Sequence, residues 1–134
     1  MLIDKILSNS KNIAIVGLSP DESKASNKVA KYLQECGYSI YPIYPKFDTI
    51  LGKKVYRNLS EINDDIDIVV MFRKGEFAEI LVEEVIAKNA KTLWLQLGIK
   101  NEIAKQKALE NGINFIEDKC IMMEHLKVKK EVNG

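Results

Sequence analysis

Four short apolar runs, Asn12 to Val16, Ser39 to Ile43, Ile66 to Phe72 and Thr92 to Leu97, narrow what this chain can fold into more than any other feature. Each is too short for a comfortable helix and is rich in β-branched or aromatic residues, so all four are predicted strands. None alternates between apolar and polar residues. A continuous apolar run is the mark of a strand covered on both faces, which means a parallel sheet between helices. A weaker fifth run, Asn114 to Ile116, follows "ENG" and is predicted as a short edge strand.

Helical spacing fills the intervals. Val29, Leu33 and Cys36 recur at four and three residues, and Gly37 stands where a helix end needs a left-handed residue. Phe77, Ile80, Leu81, Glu84 and Val85 keep the same period up to Asn89, and Ile103, Ala108 and Leu109 keep it before Gly112. "MLIDKILSNS" reads as a short amphipathic helix packed on the sheet edge, whereas residues 128–134 read as a solvated, frayed tail. The prediction is one α/β domain over residues 1–134, a Rossmann-like doubly wound parallel sheet of about five strands.

Composition limits the partners. The 134 residues are 46% hydrophobic and 29% charged, enough for a core without staples. Twenty Lys and Arg against 19 Asp and Glu leave no overall field for nucleic acid or an anionic membrane, so an anion must be captured locally. Cys36 and Cys120 lie far apart, with neither CxxC nor zinc-ligand spacing, so no metal site and no disulfide framework are expected. The N-terminus does not resemble a signal peptide and no run reaches membrane-spanning length, so the expected location is the cytoplasm.

In sheets of this kind ligands sit beyond the carboxyl ends of the strands, against helix N-termini. The first such loop is "GLSPDESKAS". Gly17 allows a sharp turn, Ser19 offers a hydroxyl, and Ser26 with Asn27 is placed to cap a helix starting near Lys28. A phosphate could rest there, or Gly17 could simply end a strand, because the later glycines of a GxGxxG loop are replaced by Ser19 and Glu22. If the first reading holds, a branched side chain at position 17 should harm nucleotide binding more than folding.

The second strand discriminates better. A nicotinamide-binding domain usually ends that strand with an acid for the ribose hydroxyl, but "IYPIYPKF" places Tyr44, Pro45 and Lys46 there. A cation instead of an acid suits a ribose that carries phosphate, as in NADP or coenzyme A, with Tyr44 and Pro45 as flat surface for adenine. Arg73 and Lys74 follow the third strand as either a phosphate-binding pair or a solvated turn. Gln96 and Gly98 after the fourth strand either meet a polar ligand or make a plain turn. Cys120 with His125, five apart in "EDKCIMMEHL", could form a nucleophile and base, but the spacing aims them apart, and a packed cysteine and a surface histidine are expected instead. Trp94 and the Met122–Met123 pair read as core or rim.

The runs "VGLSPDESKASNKVAKYLQECGY", "PIYPK", "LGKKVYRNLSEI", "IDIVVMFRKGE", "LWLQLGIKNEIAKQKALENGI" and "EDKCIMMEH" together resemble the small bacterial and archaeal CoA-binding proteins, whose domain is similar to the N-terminal domain of the succinyl-CoA synthetase α subunit. The resemblance runs from about Ile13 to His125. It implies coenzyme A across the carboxyl ends of the strands. Gly17, Leu18 and Ser19 would meet the pyrophosphate, with Ser26 and Asn27 beside it. Pro45 and Lys46 would flank the adenine and ribose phosphate, and Phe72, Arg73 and Lys74 would border the nucleotide or the pantetheine arm. In the synthetases a histidine on a further domain is phosphorylated, so the expectation here is a CoA or acyl-CoA carrier with no catalytic residues of its own. The alternatives are an NADP-dependent oxidoreductase subunit, and a regulatory or interaction protein that has kept the fold.

Overall fold

A computed structural model describes residues 2–133 of the chain. It holds strands β1 (Asn12–Val16), β2 (Ser39–Ile43), β3 (Thr49–Ile50), β4 (Lys53–Lys54), β5 (Ile68–Met71), β6 (Thr92–Leu95) and β7 (Asn114–Ile116), and helices α1 (Leu2–Asn9), α2 (Ala25–Glu35), α3 (Ala78–Lys88), α4 (Glu102–Glu110) and α5 (Ile121–Asn133). Five strands form one parallel sheet in the order β2-β1-β5-β6-β7. The chain moves one way from β1 to β2 and the other way from β1 to β5, so the winding reverses between β1 and β5, where open α/β sheets bind ligands.

All five predicted sheet strands are present, the third and fourth with shorter ends. Beyond Met71 and Leu95 the ladder holds on one side only: the Phe72 N–H donates to Val16 O (2.9 Å) and that of Gln96 to Met71 O (3.3 Å). The strand ends therefore open into loops at the edge where a site can form. Successive β1 side chains face opposite layers. Ile13 and Ile15 pack with Val29, Ala30 and Leu33 of α2, Ile6 and Leu7 of α1 and Ile121 of α5. Ala14 and Val16 pack with Leu81, Val82 and Val85 of α3 and Ala104 and Ala108 of α4. The two-faced burial read from the apolar runs follows from this.

One local expectation changes, and one element is new. Residues 128–133 continue α5 as helix; Lys129, Lys130 and Glu131 are exposed, while Val128 is half-buried against the α2 layer. The segment from Tyr44 to Asn58, which carries no periodic signal, forms the β3–β4 hairpin, turning at Leu51 (φ 53°) and Gly52 (φ 74°). It returns beside β2: the Tyr44 N–H donates to Tyr56 O (3.1 Å) and the Tyr56 N–H to Pro42 O (2.9 Å).

At the opposite edge Asp67 joins three strand starts. Its Oδ2 accepts the N–H groups of Lys11 (2.8 Å) and Asn12 (2.9 Å), and its Oδ1 lies 3.5 Å from the Lys91 ammonium. Burial opposes ionisation, but the Asn12 and Lys11 donors and the Lys91 charge outweigh it and hold the carboxyl below its usual value. A lowered native pKa gives stability that is complete above the unfolded value of about 3.9 and is lost as pH falls through the native value. Asp67→Asn is therefore expected to be less stable than the parent at neutral pH, with the gap closing on acidification. Denaturant unfolding at a series of pH values below neutral checks this; a constant gap would refute it.

Candidate functional site

The ends of β1, β2 and β5 meet at one residue. The Gly17 N–H donates to Ile43 O (2.9 Å), its φ is +84°, and a Cβ there would lie 2.6 Å from the carbonyl oxygen of Phe72. Only glycine fits this conformation and this approach together.

The loop that follows is braced from α2. This helix begins at Ala25, ahead of the expected start near Lys28, and its N-cap is Lys24. Ser26 and Asn27 therefore do not cap it: they lie buried in its first turn and grip Ser19 from both sides. Ser26 Oγ accepts from the Ser19 N–H (3.0 Å), and Asn27 Nδ2 donates to Ser19 O (2.9 Å). Ser19 Oγ accepts from the Asp21 N–H (3.1 Å). The Leu18 side chain is fully buried in the α2 layer, which leaves its backbone as the part that can meet a ligand. The Ala25 and Ser26 N–H groups precede the first bonds of α2, which run from Asn27 (3.1 Å) and Lys28 (3.2 Å) to the Lys24 carbonyl.

Beside Gly17 opens a cavity of about 290 Å³, lined by Val16, Gly17, Ile43, Tyr44, Pro45, Arg57, Asn58, Arg73, Phe77, Leu81 and Glu84. Of the residues singled out in the sequence, Gly17, Tyr44, Pro45 and Arg73 share it. The Arg73 guanidinium lies over the Phe77 ring, 4.2 Å from its centroid, so one cation is held flat against the wall. Lys74 is exposed and borders an adjoining cavity with Arg73 and Phe77. Lys46 is exposed one residue beyond the Pro45 wall, and Phe72 packs toward the α2 layer.

Gln96 and Gly98 are placed elsewhere. Gln96 is buried, and its Oε1 accepts the Ile121 N–H (2.9 Å) at the start of α5. Gly98 has φ +83°, and its N–H donates to Asp118 Oδ1 (2.7 Å). Through these bonds both hold the segment leading into α5.

His125 does not pair with Cys120. Its Nδ1 lies 2.8 Å from the Tyr32 hydroxyl and 3.8 Å from Cys36 Sγ, and its ring meets those of Tyr32 and Tyr38 edge-on. It is half-buried between α5 and α2, not on the surface, and burial together with Lys129 lowers its pKa. Arg57, Asn58, Phe77, Leu81 and Glu84 complete the cavity wall and were not read from the sequence as site residues. Phe77, Leu81 and Glu84 carry only a helix period, and Arg57 and Asn58 belong to the aperiodic excursion.

The profile of the CoA binding domain family matches residues 11–126. The chain belongs to that family. It is 41% identical over 127 residues to the uncharacterized protein YneT of Bacillus subtilis, covering 95% of this chain and 94% of that one. Over 112 residues it is 36% identical to the ADP-forming acetate–CoA ligase of Methanocaldococcus jannaschii, covering 84% of this chain but 16% of the ligase. A hypothetical protein from Pyrococcus horikoshii whose structure is known superposes with a TM-score of 0.91 at 39% identity, over 95% of this chain and 89% of that one. In this CoA-binding domain the matched span contains the whole sheet and every cavity-lining residue. Among the described residues no helix is long and apolar enough to cross a membrane.

Proposed function

We propose that this protein binds coenzyme A or an acyl-CoA as a module that supplies no catalytic group of its own. The observation that carries the reading is the cavity at the reversal of the sheet. Its floor is a glycine with no room for a side chain, Tyr44 and Pro45 give it flat surface, and Arg57 and Arg73 give it cations, while residues 44–47 contain no acid. The donor set fits the ligand. The loop from Gly17 to Ser19 and the first turn of α2 would hold the pyrophosphate, and Pro45 and Lys46 would flank the adenine and ribose phosphate. Two free thiols fit a reducing compartment such as the cytoplasm.

Thermal-shift titration with coenzyme A, dephospho-coenzyme A and NADPH tests the reading. The expected order of stabilisation is coenzyme A first, because a ligand raises stability in proportion to the logarithm of its concentration over its Kd. Greater stabilisation by NADPH would overturn it in favour of a nicotinamide cofactor.

A further inference from the structure

We propose that Arg57 is a positioning residue of this site: its guanidinium pins the backbone of Tyr44 to Phe47 and so sets where Lys46 and the Pro45 wall stand. The identity of the ligand rests on the CoA-binding reading above, but the clamp itself rests on geometry. Arg57 Nη1 lies within hydrogen-bond distance of three carbonyl oxygens of one turn, Tyr44 (2.9 Å), Phe47 (3.0 Å) and Lys46 (3.3 Å). Three carbonyls converging on one charged nitrogen fix the path of a loop that has no ladder of its own.

The loop needs such a fixture. Phe47 has φ 68°, a left-handed conformation that a bulky residue adopts only when its surroundings impose it, and the residue is 55% exposed, so core packing does not impose it. Arg57 is itself fixed from behind. Its N–H donates to Glu61 Oε1 (2.7 Å), and the residue before it, Tyr56, is bonded beside β2. The carboxylate that could draw the guanidinium away is thereby bound to the backbone. Arg57 also lines the cavity with Tyr44 and Pro45. One side chain thus joins the returning arm of the excursion to its outgoing arm at the mouth of the site. A lysine does not reproduce this geometry, because its ammonium ends one bond short of the position of Nη1 and stands on a flexible stem.

Two measurements test the clamp. Hydrogen exchange of the ligand-free protein reads it without reference to coenzyme A. In Arg57→Ala the amides of Tyr44, Val55 and Tyr56, all bonded at the base of the excursion, are expected to exchange about threefold to tenfold faster, with those of β1 and β5 unchanged. Equal protection in parent and variant would overturn the proposal. The second measurement is a double-mutant cycle of Arg57→Ala and Lys46→Ala, read as the ratio of coenzyme A to dephospho-coenzyme A affinity. If Arg57 acts by placing Lys46, its effect on that ratio vanishes when Lys46 is absent, and Arg57→Lys restores little. Independent, additive effects would overturn it by making Arg57 a direct phosphate ligand. Failure of the parent to bind coenzyme A would overturn the functional reading, with the exchange measurement still deciding the clamp.

Discussion

Gly17→Val is expected to lower the stability of the ligand-free protein by about 3–5 kcal/mol, a large part of the total for a domain of this size. Strain for a β-branched residue at φ +84° is on the order of 1–3 kcal/mol, and the Cβ would stand 2.6 Å from Phe72 O, backbone that cannot swing aside without disturbing β5. Gly17→Ala meets the same carbonyl without the branching and should fall between parent and valine. Urea unfolding without ligand decides the matter. A valine variant within about 0.5 kcal/mol of the parent would mean that the strand ends separate easily. A loss of this size would overturn the expectation drawn from the sequence, that position 17 matters more for binding than for folding. Glycine is demanded there by the protein's own backbone before any pyrophosphate arrives.

The second large effect is expected at Trp94. This side chain is fully buried in the middle of β6, and its Nε1 donates to Lys119 O (2.8 Å), tying the sheet to the segment that enters α5. Truncation to alanine should cost about 3–5 kcal/mol, the range for emptying a buried aromatic site. Trp94→Phe keeps most of the volume and removes the donor, so its cost should be nearer 1 kcal/mol, the net worth of one hydrogen bond. Equilibrium unfolding of both variants separates packing from bonding; equal losses would show that the hydrogen bond, not the ring, holds β6 to the start of α5.

The sheet was legible because burial on both faces leaves its own trace. Ile13 through Val16 and Ile68 through Met71 are apolar at every position, and only a strand covered by two helical layers requires that. Gly37 and Asn89 marked their helix ends because left-handed φ values of 99° and 60° select such residues. The site was legible in part. Gly17, Pro45 and Arg73 lie at strand ends, where fold logic alone points. Arg57 was not legible, since its task depends on carbonyls ten to thirteen residues earlier that come within reach only after a hairpin closes. The capping role read for Ser26 and Asn27 was wrong, and the bond from Gln96 to the start of α5 was not foreseen, for one shared reason. A polar side chain near a strand end serves equally well to bond a ligand or to satisfy the backbone, and sequence does not say which way it turns.

The close approach of Gly17 to Phe72 has a further consequence for how the site can diversify. Where two strand ends touch through bare backbone, the crevice cannot widen there, and no substitution can line it differently. Variation in ligand preference must therefore be written into the side chains around that glycine, those of the hairpin excursion from Tyr44 to Asn58 and those of Arg73, Phe77, Leu81 and Glu84. Changes at the exposed Pro45 and Lys46 can reshape the mouth with little penalty to folding, whereas Ile50 and Val55 of the same excursion are buried in the core. The parts of one cavity are thus exposed to different selection: the glycine to folding, the exposed side chains around it to whatever the protein must recognise.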